Sequence, residues 1–327
     1  MQRAGLSILF LGLVLSGLAG IINQVVWQRA VKLFLGGSET LSAMVVVIVF
    51  LGGLGLGAAA AGRRVGALHN PLRGLGLIEL GLAGVNLVVT LILSLDLSAS
   101  VTAAQGLASA AGLPMRAVYA LATAALLLPP TLMMGATVPL AGAACQRQLG
   151  AKGDALIPVL LFVNTVGAAL GAWSASALLL PWWGQRAALA VAIGCNGLAG
   201  LLCLLVSRGR AAPPAASPAA TALRRPGIGL EEGLGFALGA LSLSYEMLLI
   251  RALTLSFEPL PETFAATLSG FLVAWSLGVA LAGVVRAPVA AAAGLTGVLL
   301  AAMPAVHTAI RDSGAWSLWT AAAALSV

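Results

Sequence analysis

Charged residues are scarce in this sequence, at 8% of 327, against about 25% in soluble domains. A globule of that size needs a polar shell, and this chain cannot supply one. Aromatics are also few, at 5%, and no basic cluster is interleaved with them. The formal charge of +7 and pI of about 10.4 therefore do not point to a nucleic-acid partner. Cysteine is rare too. Cys145, Cys195 and Cys203 show no CxxC spacing and no nearby histidine, which excludes a disulfide framework or a metal centre and leaves small apolar packing residues. His69 and His307 fall near loops and take no ligand role, so no cofactor is expected in this chain.

What is plentiful is apolar surface. Hydrophobic residues make up 60%, glycine contributes 40 residues, and mean hydropathy is +1.05. That mix suits closely packed helices in lipid. The expected fold class is all-α: a polytopic helical membrane protein whose main partner is the lipid bilayer.

A hydrocarbon core about 30 Å thick takes about 20 apolar residues in a helix. On that ruler the spans fall at 5–27, 40–62, 74–95, 115–144, 156–180, 186–206, 232–253, 263–285 and 288–306. A last apolar run, 315–327, is too short to cross. The first span exceeds the h-region of a secretory signal and reads as a retained anchor. Segment 96–114 is expected as a short surface helix. Three regions follow: a first six-helix membrane repeat over 1–206, a Pro-, Ala- and Arg-rich linker over 207–230, and a partial second membrane repeat over 231–327.

Basic residues set the expected orientation. Of the 17 Lys and Arg, eleven lie on the side of the N-terminus: Arg3, Arg63, Arg64, Arg73, Arg147, Lys152, Arg208, Arg210, Arg224, Arg225 and Arg286. Six lie opposite: Arg29, Lys32, Arg116, Arg186, Arg251 and Arg311. The positive-inside rule then puts the N-terminus in the cytoplasm. Trp173, Trp182 and Trp183 mark the outer interface.

The first two spans resemble the seventh and eighth. Ile22-Asn-Gln-Val-Val-Trp-Gln-Arg29 aligns with Ser244-Tyr-Glu-Met-Leu-Leu-Ile-Arg251 at a shift of 222. Gly17 then matches Gly239, Gln24 matches Glu246, and Arg29 matches Arg251. With one insertion, Glu39 and Thr40 match Glu262 and Thr263, and Arg63 matches Arg286. Six spans in one period return the chain to the same side, so the copies run parallel. Paired six-helix repeats joined by a basic linker are the plan of major facilitator transporters. The second repeat is incomplete, and the chain is expected to be the N-terminal part of a longer protein.

Several stretches carry a more specific likeness. They are Ser16-Gly-Leu-Ala-Gly-Ile-Ile-Asn-Gln-Val-Val-Trp-Gln-Arg29, Phe50-Leu-Gly-Gly-Leu-Gly-Leu-Gly57 with Gly62-Arg-Arg64, and Ile78-Glu-Leu-Gly81. Met134-Gly-Ala-Thr-Val-Pro139 and Val163-Asn-Thr-Val-Gly-Ala-Ala-Leu-Gly171 complete the set. The chain resembles the membrane part of the bacterial fused major facilitator/spermidine synthase-like proteins. The resemblance implies a multi-pass inner-membrane location and transporter-like alternating access for a small cationic substrate of the polyamine type. The alternative it leaves open is a non-transporting anchor for a C-terminal aminopropyltransferase-like soluble domain, absent from this chain. That domain would hold a Gly-rich cofactor loop and acidic polyamine ligands. Here the glycine clusters lie inside apolar spans with no strand before them, so synthase activity does not carry over.

The polar residues inside the spans supply the candidate site. Glu79 lies in the third span, either paired with Arg63, Arg64 or Arg73 or serving a proton or cation. Asn86, seven residues on, falls on the same helix face. Glu246 lies deeper in the seventh span. It and its repeat mate Gln24 suggest cross-pairs, Glu246 with Arg29 and Gln24 with Arg251, or else a polar cluster between the repeats. Asn164, beside Thr165, is a further substrate-site candidate, or interhelical glue. Arg63 and Arg64 are candidates for a latch between halves, or simply positive-inside charges. Gly53 and Gly57, Gly167 and Gly171, and Gly235 and Gly239 read as helix-packing pairs. Pro129, Pro130 and Pro139 are expected to kink the fourth span.

Overall fold

The structure is a computed structural model, and it describes residues 3–34, 39–95, 98–154, 156–208, 230–256, 261–282 and 308. Its helices are α1 (Arg3–Phe34), α2 (Glu39–Arg64), α3 (Pro71–Ser94), α4 (Ser98–Ala110), α5 (Met115–Leu149), α6 (Ala151–Asp154), α7 (Ile157–Ser174), α8 (Leu180–Arg208), α9 (Leu230–Ser256) and α10 (Pro261–Ala282). No strand occurs among the described residues. The protein is an all-α, multi-pass membrane protein: among the described residues, five continuous helical stretches are long and apolar enough to cross a bilayer, the last of them the 52-residue stretch Ile157–Arg208. The expected span at 288–306, the run 315–327 and most of the 207–230 linker lie outside the described residues.

Local chemistry explains the helix ends. Asn70 caps α3, its side chain accepting from the Arg73 N–H at 3.0 Å, and Pro71 follows as the first helical residue. The expected surface helix before α5 is α4. Within α5 the helix continues through Pro129, Pro130 and Pro139. The Thr131 hydroxyl next to the proline pair donates to the Leu127 and Leu128 carbonyls at 3.0 and 2.9 Å, in a stretch that has lost two backbone donors.

The fifth and sixth spans differ from the sequence expectation of a loop between them. α7 runs on through a π-helical stretch, Ala175–Leu179, straight into α8. The chain nevertheless returns. Gly167 packs on Val14 of α1, and Cys203 packs beside Gly12, barely a turn of α1 away. The reversal occurs at Gly184, a single non-helical residue with φ 76°. An L side chain there would be strained, costing about 1–2 kcal/mol.

Backbone-to-backbone contacts set the packing. A Cβ added at Gly17, Gly167 or Gly171 would overlap the facing helix, so α1 and α7 lie in direct backbone contact, Val14 with Gly167 and Leu18 with Gly171. Both numbers rise together, so these helices run the same way. Gly53 and Gly57 meet Thr131 and Leu132, and Gly135 meets Leu54 and Ala58, so α2 and α5 also run together. Gly76 and Gly200 face one another where α3 and α8 cross in opposite directions. Further packing joins α1 to α8, α3 to α5, and α10 to α7. Small-residue pairs allow this approach, which in lipid supplies much of the association energy. Gly239 differs from its repeat mate Gly17: nothing among the described residues approaches it.

Candidate functional site

Helical periodicity brings polar groups onto the inward stripe of α3. Leu75, Glu79, Leu82, Asn86 and Val89 are all buried, spaced so that each lies within a turn of the next on one face. Glu79 is 1% exposed, yet it is ionisable. Its Oε1 accepts from the Ser16 hydroxyl of α1 at 2.7 Å and from the Thr137 hydroxyl of α5 at 3.2 Å. Its Oε2 has no hydrogen-bond partner. The carboxyl therefore sits inside the first six spans, held by two neutral donors from two other helices.

The pairing of Glu79 with a basic residue does not form. Arg63, Arg64 and Arg73 are exposed, and the partners of Glu79 are the two hydroxyls. Asn86 lies on the same buried face as Glu79, as its spacing requires, and neither of its amide atoms has a partner. On α1, Asn23 and Gln24 are both buried, at 0% and 2%. Asn23 too has no partner for either amide atom. The Gln28 Nε2 donates to the Ser42 hydroxyl of α2 at 3.1 Å.

The other candidates scatter. Glu246 is buried at 3% in α9, like its repeat mate Gln24, whereas Arg251 is exposed and Arg29 is half-buried. Among the described residues no ion pair joins Glu246 to Arg29, and no hydrogen bond joins Gln24 to Arg251. Asn164 is half-buried, and its backbone carbonyl is what Gly17 packs against. Thr165 bonds within its own helix, to Leu161 O at 2.9 Å, and so is not interhelical glue. That role falls to Ser269 of α10, which donates to Ala169 O of α7 at 3.3 Å.

At the N-terminal face, the loop between α2 and α3 is gripped by Arg147, near the end of α5. Its guanidinium donates to His69 O and Gly66 O, each at 3.0 Å, and to Val65 O at 3.4 Å. Arg63 and Arg64 are exposed at the end of α2. Ser16, Thr137, Asn196 and Arg147 were not singled out from the sequence. A hydroxyl in an apolar span or an arginine at a helix end carries no signal of its partner.

Compared with known proteins, the chain matches no family model, no curated protein and no solved structure. Among the described residues no group of three or more His, Cys, Asp or Glu could hold a metal ion.

Proposed function

We propose that the chain is the membrane module of a secondary transporter of the major facilitator type, working by alternating access. Glu79 is the carboxyl that takes up a small cation, of the polyamine type, or a coupling proton. The observation that carries this reading is Glu79 itself. An acidic group inside a helical bundle costs about 2.5–3.5 kcal/mol on insertion scales and marks substrate or proton routes by default. Among the described residues no positive side chain offsets it, and one oxygen is without a partner.

The helix arrangement supports the transporter reading. Numbering α1, α2, α3, α5, α7 and α8 as spans one to six, span one packs on five, two on four, three on six, three on four and one on six. Exchanging the first three spans with the last three converts each pair into another of the set or into itself. Inverted three-plus-three repeats, such as those nested in each half of a major facilitator, would produce this symmetry, and it supports the reading. The match of Ile22–Arg29 to Ser244–Arg251 supports a second, parallel half beginning with α9 and α10. The inner membrane and a cytoplasmic N-terminus belong to this proposal as well.

The test is uptake of labelled spermidine or putrescine by proteoliposomes holding the purified protein. We expect uptake by the wild type and its loss in Glu79→Gln, with Glu246→Gln as the parallel variant for the second half. Unchanged uptake in both variants would remove the site assignment. No uptake of any amine by the wild type would favour a membrane anchor for a C-terminal aminopropyltransferase-like domain.

A further inference from the structure

Buried hydroxyls in this bundle mostly bond within their own helix. Thr131, Thr165, Ser176 and Ser207 each donate to a carbonyl three or four residues back, the usual arrangement for a hydroxyl inside an apolar helix. Ser16 and Thr137 depart from it. Both reach to one oxygen of a third helix, Glu79 Oε1, at 2.7 Å from α1 and 3.2 Å from α5. Three helices thus bring their oxygens to one point, and the second carboxyl oxygen there, Oε2, has no partner.

Neither protonation state of the carboxyl satisfies this arrangement by itself. Ionised, Glu79 is a buried charge without a counter-charge. On its own helix Arg73 is exposed, about 9 Å nearer the N-terminal face. The charged residues nearest Ser16 along α1 are Arg3 and Arg29, each about 20 Å away by helical rise. On α5 the nearest to Thr137 is Arg147, about 15 Å off, and on α8 the charges, Arg186 and Arg208, stand toward its two ends. Protonated, the carboxyl carries its proton on Oε2, because Oε1 already accepts twice. That O–H then has no acceptor, which is itself costly in a buried place.

We infer that Ser16 Oγ, Thr137 Oγ1 and the two carboxylate oxygens of Glu79 form a binding site for one dehydrated sodium ion, which takes the place of the coupling proton. A monovalent cation removes both difficulties: it neutralises the carboxylate and needs no acceptor. One carboxylate balances one charge, so a divalent ion would leave a positive charge uncompensated in the interior. A set made only of oxygens selects a hard ion. Each hydroxyl keeps lone pairs while it donates, so Ser16 and Thr137 can hold the carboxylate and ligate the ion together. The surroundings favour a small occupant. Glu79 is 1% exposed, and apolar clusters holding Leu13 and Leu75 on one side and Leu82 and Met134 on the other enclose this part of the bundle. Packing of that kind admits a bare ion more readily than a chain of methylenes.

This rests on Glu79 being the functional carboxyl of the transporter, but its test needs no transported substrate. Radiolabelled sodium is equilibrated with the purified full chain in choline chloride at constant ionic strength. We expect one ion bound per chain, not displaced by potassium, and none bound by Glu79→Gln. Ser16→Ala and Thr137→Val should each weaken binding by about tenfold. Thr137→Ser keeps the hydroxyl and should bind as the wild type does, which separates loss of a ligand from damage to packing. As a second readout, exchanging choline for sodium should raise the unfolding temperature of the wild type and not that of Glu79→Gln. No sodium on the wild type, binding retained in Glu79→Gln, or equal loss in Thr137→Ser and Thr137→Val overturns the inference. The two readings fail separately. Amine uptake that is lost in Glu79→Gln yet indifferent to sodium would keep the transporter and remove the sodium site. Sodium held by Glu79 without uptake of any amine would keep the site and remove the amine.

Discussion

Ser16 and Glu79 are 63 residues apart in the chain and 2.7 Å apart in the bundle. That one bond ties α1 to α3, two helices that otherwise meet through α8 and α5, each of which contacts both. It also orients the carboxyl, with Thr137 adding a second donor from α5.

Removing either donor should therefore weaken the bundle measurably. Ser16→Ala and Thr137→Val are each expected to lower the unfolding free energy by about 1 kcal/mol. Interhelical bonds in membrane proteins average about 0.6 kcal/mol, with a maximum near 1.7. A double-mutant cycle of Ser16→Ala with Glu79→Gln should give a coupling inside that range. Strict additivity of the two changes would show that the bond contributes nothing.

The glycine contacts allow a matched comparison within one helix. Gly57 meets the Leu132 backbone, whereas nothing lies near Gly55. Gly57→Ala should destabilise by about 1–3 kcal/mol, as overpacking does, while Gly55→Ala should stay within about 0.5 kcal/mol of the wild type. Detergent unfolding of both variants decides the matter, and equal stabilities would contradict the close α2–α5 contact.

Much of this could be read before any coordinates. Long apolar runs bounded by basic residues reveal spans because lipid leaves helices no alternative. Glu79 and Asn86 could be put on one face because seven residues complete two turns whatever the surroundings. Ser16 and Thr137 could not be named as partners. Which face of α1 meets α3 depends on how far Gly17 sinks against Asn164 and Ala168, a contact across some 150 residues of chain. The turn at Gly184 was equally hidden. Spans bounded at 156–180 and 186–206 imply a short loop between them, but one residue at positive φ reverses the chain without one. The cross-pairing of Glu246 with Arg29 assumed facing helices, a relation that spacing within one helix cannot supply.

Arg147 offers a further check. Its guanidinium satisfies three carbonyls of the loop between α2 and α3. Arg147→Ala should raise amide hydrogen exchange or protease cleavage within residues 65–70, by about tenfold if roughly 1.4 kcal/mol of local stability is lost. Arg63→Ala and Arg64→Ala, both in exposed positions, should leave that segment unchanged. A loop as protected in Arg147→Ala as in the wild type would refute the clamp.

Gly184 makes the last prediction. At φ 76° an alanine should cost about 1–2 kcal/mol, lowering the unfolding temperature. Gly194 and Gly197, in the same helix with open space around them, should tolerate alanine or gain slightly from it. A thermal shift no larger for Gly184→Ala than for Gly194→Ala would show that the turn relaxes without strain.

The central position of α1 has a consequence for biosynthesis. Its buried amides, Asn23, Gln24 and Gln28, leave the ribosome well before α7 and α8, which enclose this helix and are made more than 120 residues later. Until then α1 lacks the walls that bury its polar face. An insertion complex that keeps α1 waiting at its lateral exit, rather than releasing it into lipid, would match the order of synthesis to the order of packing.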